Sequence, residues 1–334
     1  MNHAVILAGG QGKRMHAPIP KPMFPVLGEP MLEWVLCACE GAGLTQICVV
    51  TGYEAEQITR YLNGRCETAF QAERLGTGHA VMQAMPFLQR NADGNTLVLC
   101  GDAPFIDSDT IRRSLNRHIA ENNAVTVITA RVDQPAGYGR ILRTDSGIAG
   151  IVEEKDATDE QKQITEINSG CYWFRTSDLT EMLGKITDNN AQKEYYLTDT
   201  IAIALQSGLR AGAYCSKNPD VVLGANDRKG LLRLNTAARM AVLNRHMENG
   251  VGFVCTDGVI IERSVKIGAG TEILPGTILR GSTVIGENCV IGPNCLLTDT
   301  TVGDRAVLNT VQAVSARIEA GAELGPFVQI PSAE

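Results

Sequence analysis

The sequence predicts an α/β domain with a mostly parallel sheet, then a linker helix and a short parallel β-helix. Three observations carry that prediction. Short β-branched runs alternate with helical spacing from residue 1 to about 226, one amphipathic segment follows, and beyond it aliphatic side chains recur at every sixth position.

In the first part, His3 to Leu7, Gln46 to Val50, Cys66 to Phe70, Thr96 to Cys100 and Val125 to Ala130 are apolar runs bounded by Gly, Asp or Asn, which marks them as strands. Met31 to Cys39 and Asp109 to Ile119 repeat at helical spacing between them. Sheets of this kind bind ligands beyond the carboxyl ends of their strands, which here read Gly9-Gly10, Thr51-Gly52, Gln71-Ala72 and Gly101-Asp102. From about Asp227 to Gly250, Leu231, Leu234, Ala238, Ala241 and Val242 trace one face of a helix that ends at glycine, a connector between domains.

The six-residue period begins at Ile267 and continues through Ile273, Leu279, Ile285, Ile291 and Leu297, with a smaller side chain two positions earlier at Val265, Thr271, Thr277, Thr283, Cys289 and Cys295. One-residue slips are expected to restore the register at Val302, Leu308 and Val314, and again at Ile318, Leu324 and Ile330. Each hexad then forms one side of a triangular coil with its aliphatic residue inward, giving roughly four coils between Val259 and Ile330. The expected boundaries are 1–226 for the sheet domain, 227–249 for the linker helix and 250–334 for the repeats.

Composition narrows the function. A chain of 334 residues, 44% of them hydrophobic, can bury a sizeable core, and its formal charge of −7 offers no broad cationic surface for nucleic acid. The longest apolar run near the start, Ala4 to Ala8, is far shorter than the roughly 20 residues of a membrane span. Ten cysteines without a Cys-x-x-Cys pair read as reduced thiols, so a cytoplasmic protein without nucleic-acid or membrane partners is expected.

The chemistry sits at the strand ends. After the first strand comes Leu7-Ala8-Gly9-Gly10-Gln11-Gly12-Lys13-Arg14-Met15, and Pro20-Lys21-Pro22 follows a turn. Glycines admit backbone N–H groups to anionic oxygens, while Arg14 and Lys21 supply positive charge, so phosphates are the expected guests. The spacing matches neither a P-loop nor a dinucleotide fingerprint, since Met15 stands where the latter has its third glycine. Good turn chemistry alone is the competing explanation. Asp102, opened to its surroundings by Gly101, suits a magnesium ion that takes its remaining oxygens from water and phosphates. Its other reading is a helix cap, a job for which Asp107 or Ser108 is better placed.

Together, Leu-Ala-Gly-Gly-x-Gly-x-Arg-Met, Pro-Lys-Pro and Gly-Asp-x-Pro resemble the sugar-nucleotide pyrophosphorylases. The segments 71–80, 137–141, 152–158, 166–170 and 189–199 are similar to one branch, the bifunctional N-acetylglucosamine-1-phosphate uridylyltransferases that also acetylate glucosamine-1-phosphate. The resemblance implies a Rossmann-like nucleotidyltransferase domain followed by a left-handed β-helix, and a homotrimer assembled through that β-helix. It implies magnesium-dependent uridylyl transfer from UTP to the sugar-1-phosphate, with UDP-N-acetylglucosamine and pyrophosphate as products. Residue by residue, it assigns Leu7, Ala8, Gly9, Gly10, Gln71, Gly76 and Thr77 to the uracil and ribose. Arg14 and Lys21 become the catalytic cations on the phosphates, and Cys100 and Gly101 join Asp102 in substrate binding. Gly139, Glu153, Asn168, Glu194 and Tyr195 fall to the amino sugar, and Asp102 with Asn226 to the metal, Asp227 being free to cap the linker helix instead.

Cys100 stands where many relatives carry an aromatic residue, and Pro20 to Met23 is similar to other sugar-nucleotide transferases. A pyrophosphorylase for another sugar or base therefore stays open, as does a noncatalytic homologue. The five histidines, His3, His16, His79, His118 and His246, all precede the repeats, so acetyl transfer by the relatives' histidine is not expected of this chain.

Overall fold

The apolar runs form strands, Asn2–Leu7, Ile47–Thr51, Asn95–Cys100 and Val125–Arg131 buried on both faces and Glu67–Phe70 largely exposed at the sheet edge, in a computed structural model that describes residues 1–145 and 147–331. Residues 332–334 of the expected repeat region lie outside the described residues. Side chains alternate along the first strand. Ala4 and Ile6 join a core with Leu32, Leu36, Ile58, Ile111 and Trp173, while Val5 joins the opposite core with Val81, Phe87, Leu179, Ile201 and Phe174.

The sheet runs Ala211–Cys215, Val125–Arg131, Glu166–Arg175, Asn95–Cys100, Asn2–Leu7, Ile47–Thr51, Glu67–Phe70. Parallel registers pair Leu7 with Val50 on one side and with Cys100 on the other, and Thr51 with Phe70, so these strands end level along one edge. The strand Glu166–Arg175 is antiparallel to both its neighbours. Its sequence gives no clean alternation because the register shifts between Asn168 and Cys171, and Gly170 takes φ of 77° there. A hairpin of Arg140–Thr144 with Gly147–Val152 pairs through Ile167 and Arg140.

Two helix starts behave as the side chains dictate. Asp107 accepts from the Thr110 N–H at 2.7 Å to cap the helix Ser108–Ala120. Asp227 accepts from the Gly230 N–H at 2.7 Å at the start of the helix Arg228–Glu248, which leaves the neighbouring Asn226 side chain for other partners. The chain divides into two compact units: Met1–Phe24 with Glu29–Gly230, and Pro25–Gly28 with everything from Leu231 onward.

In the second unit the hexads stack into three parallel sheets, the three sides of a left-handed β-helix. One column aligns Ile267, Ile285, Val302 and Ile318, and another Ile273, Ile291, Leu308 and Leu324. The third column runs Ile261, Leu279, Leu297, Ala313 and Ile330, which corrects one expectation: Val314 points outward, 45% exposed, and Ala313 is the inward residue. In the strand Val311–Val314 the period of two buries Val311 and Ala313 together, so the shortened hexads are those ending at Val302, Ala313 and Ile318. Successive coils touch through glycine. A Cβ on Gly268 would lie 2.7 Å from the Gly286 carbonyl, and one on Gly286 2.7 Å from the Asp304 nitrogen.

Candidate active site

The level strand edge carries a cleft of about 280 Å³ lined by Leu7, Gly9, Gly10, Lys21, Pro22, Gln71, Arg74, Gly76, Thr77, Ala80, Cys100, Asp102 and Glu194. Its floor follows from the first strand's end. Ala8 N–H donates to Val50 O at 2.8 Å and Tyr53 N–H to Gly9 O at 3.1 Å, which ties the glycine loop to the neighbouring strand. A Cβ on Gly52 would stand 2.8 Å from Gly9 O, so that approach needs glycine. Ala8 is itself fully buried beneath the loop.

Gly12, with φ of 63°, turns the chain into a single turn, Lys13–Met15, anchored by the buried Met15. Arg14 lies exposed on this turn and outside the cleft lining. The Lys21 N–H donates to Gly10 O at 3.1 Å and folds the next segment back over the glycines. The Lys21 ammonium then pairs with the Asp102 carboxylate and donates to Asn226 Oδ1 at 2.6 Å. Asp102 is held at the edge by a turn in which Gly101 N–H donates to Leu7 O at 2.9 Å and Ala103 N–H to Cys100 O at 3.2 Å. Gly101 is thus structural backing rather than lining. Burial, with the Asp102 carboxylate adding to it, pushes the Cys100 thiol well above its ordinary range, so Cys100 stays neutral.

Asp102 Oδ2 and Asn226 Oδ1 converge on one cation, the Lys21 ammonium. Two hard oxygens directed at one positive centre fit the donor chemistry of magnesium, which needs few protein oxygens beside phosphates.

The far wall comes from elsewhere in the chain. Tyr195 N–H donates to Leu75 O and Gly78 N–H to Tyr195 O, both at 2.7 Å, and the Thr77 hydroxyl accepts from Leu197 N–H at 3.1 Å. A Cβ on Gly76 would come within 2.6 Å of Tyr195 O. This strapping delivers Glu194 to the cleft, while Tyr195 contributes its backbone to the strap and is not among the lining residues. Gly139, Glu153 and Asn168 form a separate group: Asn168 N–H donates to Gly139 O at 2.9 Å, and a Cβ on Gly139 would lie 3.3 Å from Glu153 Oε2. Burial raises the Glu153 carboxyl, a hydrogen bond with Thr198 opposes the rise, and Asp156 and Asp199 add to it.

Of the cleft's residues, sequence reasoning missed Pro22, Arg74 and Ala80. Arg74 carried a usable signal, a cation three residues after Gln71 in the loop beyond a strand end.

A parallel sheet with a glycine loop and a cation at its carboxyl edge defines a class, and residues 3–221 match the family described as nucleotidyl transferase. Residues 264–299 match the bacterial transferase hexapeptide repeat. Among relatives, a bifunctional protein GlmU from Acetivibrio thermocellus is 41% identical over 328 residues, covering 98% of this chain and 71% of that protein. Those of Thermoanaerobacter pseudethanolicus and Streptococcus suis are 42% and 41% identical, covering 98% of this chain and 71% and 72% of theirs. The chain belongs to the bifunctional GlmU family of nucleotidyl transferases. A Bacillus anthracis crystal structure provisionally assigned as a glucose-1-phosphate thymidylyltransferase, 21% identical with a TM-score of 0.59 over 72% of this chain and 96% of that one, shares the fold.

Proposed function

We propose that this chain transfers the uridylyl group of UTP to N-acetylglucosamine-1-phosphate, forming UDP-N-acetylglucosamine and pyrophosphate. The observation that carries the proposal is the convergence of Lys21, Asp102 and Asn226 beside a glycine loop and Gln71 at one sheet edge. An oxygen of the sugar phosphate attacks the α-phosphorus of UTP, the bond to the β-phosphate breaks, and pyrophosphate leaves in line. The nucleophile is already ionised at neutral pH, so the obstacle is the meeting of two anions. Like charges about 4 Å apart at an effective dielectric of about 20 repel by roughly 4 kcal/mol per pair. Lys21 offsets that repulsion from within the cleft, and Arg14, exposed on its turn, meets the outer phosphates. Asp102 and Asn226 would hold a magnesium ion, which when bound supplies further neutralisation of the triphosphate.

Leu7, Gly9 and Gly10 receive the nucleoside, with Gln71, Gly76 and Thr77 closing on the base and ribose. Glu153 and Asn168 beside Gly139 offer polar atoms to sugar hydroxyls and the acetamido group, which an apolar wall could not orient. Glu194 and Tyr195 complete the sugar side. The family's repeats and the exposed Val284, Val307 and Val314 support a homotrimer through the β-helix, a state that sedimentation equilibrium reads directly. Among the described residues no helix is long and apolar enough to cross a membrane, and a cytoplasmic site of action fits the reduced cysteines.

The test is pyrophosphate release with UTP, magnesium and either N-acetylglucosamine-1-phosphate or glucose-1-phosphate. Clear preference for the acetamido sugar is expected. Equal or inverted rates would remove the sugar assignment, and no release with either would remove the activity.

A further inference from the structure

Gln71 follows the strand Glu67–Phe70 and is 5% exposed, so its side-chain amide has few ways to lie. Its Nε2 is 3.2 Å from Gly76 O and also 3.2 Å from His79 Nδ1. A backbone carbonyl can only accept, so the nitrogen end of the amide must face Gly76. The same NH2 group lies 3.2 Å from His79 Nδ1, which accepts from it in the tautomer that carries its proton on Nε2. The oxygen end is turned the other way: a Cβ on Gly9 would meet Gln71 Oε1 at 3.0 Å, and Gly9 and Gln71 both line the cleft. His79 sits on the helix Thr77–Gln83, its ring centroid 6.2 Å from that of Tyr195. Its Nε2 lies 3.2 Å from the amide nitrogen of the half-buried Gln83, one helical turn on, which donates to His79 O at 3.0 Å.

We propose that His79 is a positioning residue that fixes which end of the Gln71 amide enters the cleft, and so selects the pyrimidine. With Oε1 inward, Gln71 accepts from a ring N–H flanked by carbonyls, as uracil presents. With the amide turned over, its NH2 group would donate to the bare ring nitrogen of cytosine. Gly76 and His79 hold the first arrangement jointly, and loss of the imidazole acceptor leaves Gly76 alone to oppose the second. The inference rests on the uridylyl-transfer reading given above and names a residue that reading does not use.

The experiment compares kcat/KM for UTP and for CTP in the full chain. His79→Phe keeps a ring on the helix but removes the acceptor, and the UTP-over-CTP ratio is expected to fall about tenfold, the worth of one hydrogen bond. His79→Asn places an amide oxygen close to where Nδ1 stood and is expected to keep the ratio within about twofold of the parent. His79→Leu is read in the same way as His79→Phe should the bulkier ring prevent folding. An unchanged ratio in a folded variant without the acceptor overturns the proposal, as does a parallel loss of UTP and CTP turnover, which is what a purely structural role would produce. If the unaltered chain shows no preference for UTP, the uridylyl-transfer reading itself fails, an outcome seen before any variant is made.

Discussion

Lys21 holds two oxygens at once, the Asp102 carboxylate and Asn226 Oδ1, and neither oxygen belongs to a neighbouring segment of sequence. Removing one preorganised electrostatic stabiliser costs roughly 10²- to 10³-fold in turnover. Lys21→Ala and Asp102→Ala are each expected to fall in that range, with the fold intact by circular dichroism; near-normal turnover of either at saturating magnesium would dissociate that residue from the chemistry. Both residues were legible in the sequence, because a lysine after the glycine loop and an aspartate after Gly101 stand at strand ends where ligands collect. Arg74 was not singled out, since the tightly strapped loop that brings it to the cleft depends on Tyr195, some 120 residues away. Asn226 was legible only through family resemblance, and its contact with Lys21 spans 205 positions. No periodicity or local spacing encodes such a separation.

At the scale of elements, local rules served well where burial repeats at a fixed interval. Five strands read as bounded apolar runs, the helices starting near Met31 and Ser108 read at helical spacing, and the aliphatic ladder up to Leu308 read from its six-residue period all formed, whereas the parallel strand Ala211–Cys215 was not anticipated. They failed where the chain shortens a hexad, because Val314 and Ala313 are both small enough to pass for the inward residue and only pairing with Leu297 decides between them. They also failed at Glu166–Arg175, where the bulge at Asn168 breaks the alternation. The coil contacts make a sharp prediction. Gly286→Ala places a methyl group 2.7 Å from the Asp304 nitrogen, in a stack that cannot open there without disturbing the pairing of adjacent coils. A loss of roughly 1–3 kcal/mol is expected, read as a lower urea midpoint for the repeat unit. An unchanged midpoint would show that the coils yield at that corner.

Across the whole molecule, buried histidines tie stability to pH. Burial lowers His3, His118 and His246 each to about 4, helped by the N-terminal charge for His3, by Arg175 for His118 and by Arg245 for His246. The unfolded chain therefore takes up these protons first as pH drops below the ordinary histidine value of about 6.5. Their contribution is fully present above that value and is lost as pH falls from about 6.5 toward 4. At about pH 5.5 the loss is roughly 1 kcal/mol per histidine. Denaturant midpoints measured between neutral pH and about pH 5 should fall accordingly, and replacing His118 by Gln should flatten part of the slope; a midpoint independent of pH over that window would contradict the burial of these imidazoles. The acidic net charge of −7 lessens the self-repulsion that protonation adds, so the histidines dominate the early part of the decline.

By itself the sequence determined the two architectures and the level edge where chemistry collects, because apolar period, glycine placement and strand-end composition are properties of neighbouring residues. It also supplied the cation and the carboxylate of the cleft. Only the tertiary structure decided that Lys21, Asp102 and Asn226 meet, that Ala313 and not Val314 faces inward, and which way the Gln71 amide lies between Gly76 and His79. Those outcomes depend on distances between segments remote along the chain and on the directions of their hydrogen bonds, which are fixed when the sheet and coils pack and which no local pattern of side chains contains.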